Sequence, residues 1–187
     1  LSEMQSILRA EYAVADPNIT LALTPDGKAE SALTEHSTRR VCAFLCLAPN
    51  GVAAMSMDIP GLVQTSDNLG IFRVENGHLT GTFSVRSSVA TQKQMLLTRI
   101  RLLCEGLDGT ATNTSSYPAW EYRRESPLRD TMVRVFTAQY GHEPKVEAIH
   151  AGLECGLLSG KLPGLDAVSF GPDLKDIHTP RERLSIS

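Results

Sequence analysis

The 187-residue sequence contains no run of 18 consecutive apolar residues, so no segment is built to cross a membrane as a helix. Excess charge of one sign is lacking as well. The 18 basic and 21 acidic side chains leave a formal net charge of −3, which argues against a protein held to nucleic acid by phosphate contacts. Cysteine is scarce, with four residues at 42, 46, 104 and 155, and their spacing matches no zinc ribbon or finger. Cys42 and Cys46 fall in the apolar run 41–47 and read as buried free thiols on a helix, the usage of a reducing cytoplasm. No basic region followed by an apolar stretch opens the chain, so no signal peptide is visible. Internal repeats, low-complexity tracts and the composition of a disordered, collagenous or coiled-coil chain are also missing. The first residue is Leu1 rather than Met, which leads to the expectation of a piece of a longer protein.

The apolar set is 42% of the residues, ordinary for a globular protein, and a chain of this length buries roughly 70% of its unfolded surface without disulfides. One large domain or two small ones are expected. Ser2 and Gln5 have the spacing of a capping box, and Met4, Ile7, Leu8 and Tyr12 follow at helical intervals up to Pro17. Residues 19–23 alternate well enough for a short strand, and Pro25-Asp26-Gly27 is a turn. A second helix is expected over about 29–47, stopped by Pro49-Asn50-Gly51.

The strongest local signal lies between residues 63 and 88. Two alternating arms, 70–74 and 79–86, flank Asn76-Gly77, a pair suited to the two positive-φ positions of a type I′ turn. A helix over 89–106 follows, with Met95, Leu96, Ile100, Leu103 and Leu107 on its apolar face. Composition shifts over 111–125, where a domain boundary is placed. Ser126-Pro127 opens a helix that runs to Tyr140 and stops at Gly141. Beyond it, a strand over 146–150, a helix from Gly152 to Leu158 and a strand over 167–170 make an α/β pattern.

Three constellations could carry chemistry. His150-Ala151-Gly152-Leu153-Glu154-Cys155-Gly156 offers an imidazole, a carboxylate and a thiol where a strand meets a helix, a position where open α/β sheets hold ligands. The spacing excludes the His-Glu-x-x-His zinc motif. Cys155 and His150 are too little for a nucleophile and its base, and the glycines also suit a tight packing corner. His178 lies in the loop 171–180 near Asp173 and Asp176, placed either as a metal ligand or as a solvated loop side chain. Arg86 ends a strand beside Ser87 and Ser88. It suits a carboxylate at a helix start, or is a plain surface arginine.

The stretches Ile149–Leu157, Asp166–Pro172 and His178–Glu182 together resemble the C-terminal part of the aminoacyl-histidine (Xaa-His) dipeptidases. The likeness continues through Ser126-Pro127, Tyr117–Trp120, Thr65–Gly70 and Val85-Arg86-Ser87. It implies an α/β fold: an α+β lid with an antiparallel sheet over 1–112, used for dimerisation, and the C-terminal α/β piece of a zinc peptidase lobe over 113–187. It also implies two zinc ions per full-length subunit, with a metal-activated water attacking a dipeptide. By the same resemblance His178 is a metal ligand, while Arg86 and Glu154 are substrate-binding. The family's other metal ligands and its catalytic glutamate have no counterpart in these residues, so an incomplete zinc site and an inactive polypeptide are expected. A cytoplasmic homodimer without nucleic-acid or membrane partners is the implied setting. The rival reading is a non-catalytic binding or dimerisation module descended from such a peptidase.

Overall fold

The computed structural model describes residues 1–29, 31–150 and 154–185. The chain divides into two compact units, Leu1–Thr38 and Arg39–Ser187. In the first, α1 spans Ser2–Glu11, but no capping box forms: Leu1 is the N-cap and makes no side-chain cap bond. The Gln5 side chain is used elsewhere, accepting the Leu21 N–H at 2.9 Å, while Arg9 Nε donates to the Ile19 carbonyl at 3.0 Å. Those bonds hold residues 19–21 beside α1 in place of a ladder partner, so the strand expected over 19–23 is not formed.

Helix α2 spans Glu35–Leu47. It starts later than the pattern suggested, where the Thr34 hydroxyl accepts the Ser37 N–H at 3.1 Å. Phe44 is its buried residue. Cys42 and Cys46 are exposed, not buried. Each lies two residues from Phe44, about 200° around the helix, and so points away from the face that Phe44 commits to the core.

That core rests on an antiparallel sheet of β1 (Gly51–Met55), β2 (Val63–Glu75) and β3 (His78–Ser87), in that order. Strand β1 has no clear alternation of apolar and polar residues, so its sequence carries no strand signal. The β2–β3 hairpin closes at Glu75 and His78, with Asn76 at φ 51° and Gly77 at φ 75°, as a type I′ turn demands. The register slips between Leu69 and Ile71, which leaves Gly70 as a bulge. One extra residue restores Phe72 to the same face as Leu69. Phe44 lies over that face, its ring centroid 5.9 Å from Phe72 and 6.1 Å from Phe83. Gly81 makes room for it: a Cβ there would come within 3.0 Å of the Phe44 ring.

Helix α3 (Ala90–Gly106) covers the same face with Leu96 and Ile100 buried. Met95, expected on the apolar face, is 44% exposed; the buried stripe is narrower than the apolar one. At its start the Ser87 hydroxyl bonds both the N–H and the carbonyl of Val89, and Thr65 Oγ1 lies 2.9 Å from Ser87 Oγ. Helix α4 (Pro127–Tyr140) is capped as the sequence implied, by Ser126 at one end and by left-handed Gly141 at the other. Helix α5 spans Glu154–Lys161; the helix start placed at Gly152 lies outside the described residues. Strands β4 (Leu174–Lys175) and β5 (Arg183–Leu184) form a two-residue hairpin.

The stretches 146–150 and 167–170 are not strands, and Phe170 is 84% exposed. A strand of an α/β sheet exists only with neighbours to bond to, and among the described residues neither stretch has one. The fold is therefore a mixture of helices and antiparallel sheets.

Candidate functional site

Strand alternation separates the two faces of the sheet. Leu69, Phe72 and Phe83 turn toward the helices, and Ser66, Asn68, Ser84 and Arg86 occupy the other face. Ser66 and Arg86 are direct cross-strand partners. Arg86 is exposed, and among the described residues no carboxylate forms an ion pair with it. His150 reaches the same place from 84 residues along the chain: its Nε2 lies 2.7 Å from Ser66 Oγ. Burial, and then the Arg86 charge, hold the imidazole below the usual histidine range. Two motifs that the sequence showed separately are thus one cluster. Ser66, which joins them, had no signal of its own beyond lying in the Thr65–Gly70 stretch.

Glu154 is the exposed first residue of α5, and its acidic side chain suits the positive end of the helix. Residues 151–153, which connect it to His150, lie outside the described residues. The glycines of α5 serve packing. A Cβ on Gly156 would lie 3.1 Å from the Pro118 carbonyl oxygen, and one on Gly160 would lie 2.8 Å from the Pro118 ring. Further on, Asp166 accepts from Ser126 Oγ at 2.6 Å and from the Leu128 N–H at 2.9 Å. Those hydrogen bonds, the Ser126 one foremost, hold its carboxyl below the usual range. Asp166 therefore tethers the start of α4 to a segment 40 residues away.

His178 is exposed, in the loop that joins β4 to β5. Its φ is 65°, in the left-handed region, and its N–H donates to Glu182 Oε2 at 3.0 Å. Asp176, also at positive φ, pairs with Arg183. No group of three or more His, Cys, Asp or Glu side chains that could hold a metal occurs among the described residues. The donor set of the described residues does not fit a complete zinc centre. A separate groove of about 350 Å³ lies between α3 and residues 113–119. There Lys93 Nζ donates to the Tyr117 carbonyl at 2.7 Å and sits 4.8 Å from the Tyr117 ring centroid; its ammonium is pushed down by burial.

The crystal structure of aminoacylhistidine dipeptidase from Vibrio alginolyticus superposes on 98% of this chain with a TM-score of 0.88 and 28% identity. This chain is homologous to part of that dipeptidase. The cytosol non-specific dipeptidase of Escherichia coli is 29% identical over 182 residues, 97% of the chain. A protein of Pyrococcus abyssi named for LysW-lysine/LysW-ornithine hydrolysis is 39% identical over 70 residues, 37% of the chain and 20% of that protein. The chain spans 37% of the Vibrio protein and 38% of the Escherichia coli one. No family model matches it. No helix among the described residues is long and apolar enough to cross a membrane.

Proposed function

We propose that this chain is part of a zinc-dependent, cytoplasmic dipeptidase that hydrolyses Xaa-His dipeptides. The observation that carries this reading is the TM-score of 0.88 over 98% of the chain, at 28% identity, to an aminoacylhistidine dipeptidase. Residues 1–112 are the lid, through which two subunits associate, and residues 113–187 are the last part of the catalytic lobe.

Arg86 receives the substrate carboxylate. Its guanidinium is exposed on an open sheet face, and its planar fork matches a carboxylate with two parallel hydrogen bonds. Glu154 lies on the substrate side, at the start of α5. His178 contributes one metal ligand from its hairpin, where Glu182 and the Asp176–Arg183 pair hold the loop. A catalytic zinc takes about three protein ligands, so in this reading the remaining donors and the general base belong to the part of such an enzyme that this chain does not span. No catalytic step is assigned to the chain alone.

The test has two arms. The purified chain, given an Xaa-His dipeptide and zinc, should show no turnover; turnover that a chelator abolishes would refute its proposed inactivity. The longer protein that contains the chain should hydrolyse the same dipeptide in a chelator-sensitive way and lose most of its rate and zinc with His178→Ala. Failure of that second arm would favour the binding or dimerisation module.

A further inference from the structure

The hydrogen bond between Ser66 and His150 joins two parts of the molecule that are far apart in sequence at the point where Arg86 is displayed. Ser66 faces Arg86 directly across the β2–β3 ladder, and such partners have Cβ atoms about 4.5–5.5 Å apart on one face. His150 bonds Ser66 at 2.7 Å and is half-buried. Arg86 is therefore a cation without a carboxylate partner among the described residues, flanked by a hydroxyl and an imidazole. A group with two acceptor oxygens and a negative charge completes that arrangement.

We propose that Ser66 and His150 form a strap that holds the imidazole against the Arg86 face of the sheet, making His150 a positioning residue for a carboxylate bound by Arg86. This rests on the assignment of Arg86 as the carboxylate receptor and adds the pair that frames it. The ligand class is the free C-terminal carboxylate of a dipeptide. Burial and the Arg86 charge favour the neutral imidazole, the form that sits beside a guanidinium without repulsion. A neutral ring leaves Arg86 as the cation the carboxylate meets.

The experiment follows the side-chain NMR signals of the histidine-labelled 187-residue chain during titration with the dipeptide Ala-Ala or with its C-terminal amide. The His150 signal should shift saturably with the acid and not with the amide, and Arg86→Met should abolish the response. With affinities of all variants read by isothermal titration calorimetry, Ser66→Ala and His150→Phe should each weaken the acid by about tenfold, the scale of one lost hydrogen bond. His150→Gln, whose amide still reaches Ser66, should stay within about threefold of the parent. Ser66→Ala removes a single oxygen, so its spectrum should remain that of the folded chain. If Ser66→Ala and His150→Phe bind the acid as tightly as the parent while Arg86→Met does not, the strap is overturned and the Arg86 assignment stands. If Arg86→Met binds as the parent does, the Arg86 assignment itself falls, and a chain that shows no saturable response overturns both.

Discussion

Replacing Gly160 by alanine should destabilise the chain, although alanine is the better helix former. Gly160 lies in α5, where a glycine interior to a helix costs about 1 kcal/mol relative to alanine. At a site with free space that difference would be gained. Here the added Cβ would stand 2.8 Å from Pro118 Cγ and 3.0 Å from Pro118 Cβ, well inside the roughly 3.5–4.0 Å of a favourable carbon–carbon contact. The proline ring cannot swing aside as a long side chain would, so α5 or the 117–120 segment must move. Overpacking of this kind costs about 1–3 kcal/mol, which leaves a net loss of up to about 2 kcal/mol. Gly156→Ala meets the Pro118 carbonyl at 3.1 Å and Trp120 Cβ at 3.4 Å and should fall nearer to neutral. Gly106→Ala is the control: it ends α3 with nothing within 4 Å of the new carbon, and it should gain up to about 1 kcal/mol. Urea unfolding of the three variants should rank them Gly106→Ala, Gly156→Ala, Gly160→Ala from most to least stable. For a chain of this size the spread corresponds to several degrees in thermal midpoint, at about 2–4 °C per kcal/mol. A Gly160→Ala chain as stable as the Gly106→Ala one would show that the α5 glycines are not there for packing.

Three further outcomes test other parts of the structure. Asp67 is 4% exposed with Oδ2 unpartnered, and burial raises its carboxyl above the usual 3.8, against a lowering by Arg99. Its protonated form therefore favours the fold at acid pH, and stability falls as pH rises through the raised value. Asp67→Asn should be more stable than the parent at pH 7, with the gap in urea midpoints closing toward pH 3; an equal gap at both would refute the burial argument. Ser126→Ala removes both the α4 cap and a partner of Asp166 and should cost about 1–2 kcal/mol by urea unfolding; an unchanged midpoint would count against the tether. His178→Gly relieves a left-handed residue and should slow hydrogen exchange of the Thr179 and Glu182 amides by up to about fivefold, whereas faster exchange would show that the loop geometry depends on the imidazole.

What could be read from the residues alone was whatever depends on near neighbours. The Asn76-Gly77 turn, the Ser126-Pro127 start and Gly141 stop of α4, and the span of α3 are decided by local φ preferences and caps, and the structure has them where the pattern put them. The resemblance to the aminoacyl-histidine dipeptidases was legible for a similar reason: it lies in contiguous stretches. Tertiary structure decided the rest. The Gln5 amide went to Leu21 because a long-range acceptor was needed there. Cys42 and Cys46 came to the surface because Phe44, between them, took the inward face over Gly81. Residues 146–150 and 167–170 have strand-like sequences, but a strand is a property of a pair, and no partner lies beside them among the described residues. The same limit hid the candidate site. Arg86 and His150 were visible as separate residues, but their meeting at Ser66 depends on a fold that brings positions 84 residues apart to within one hydrogen bond, and no local pattern encodes that distance.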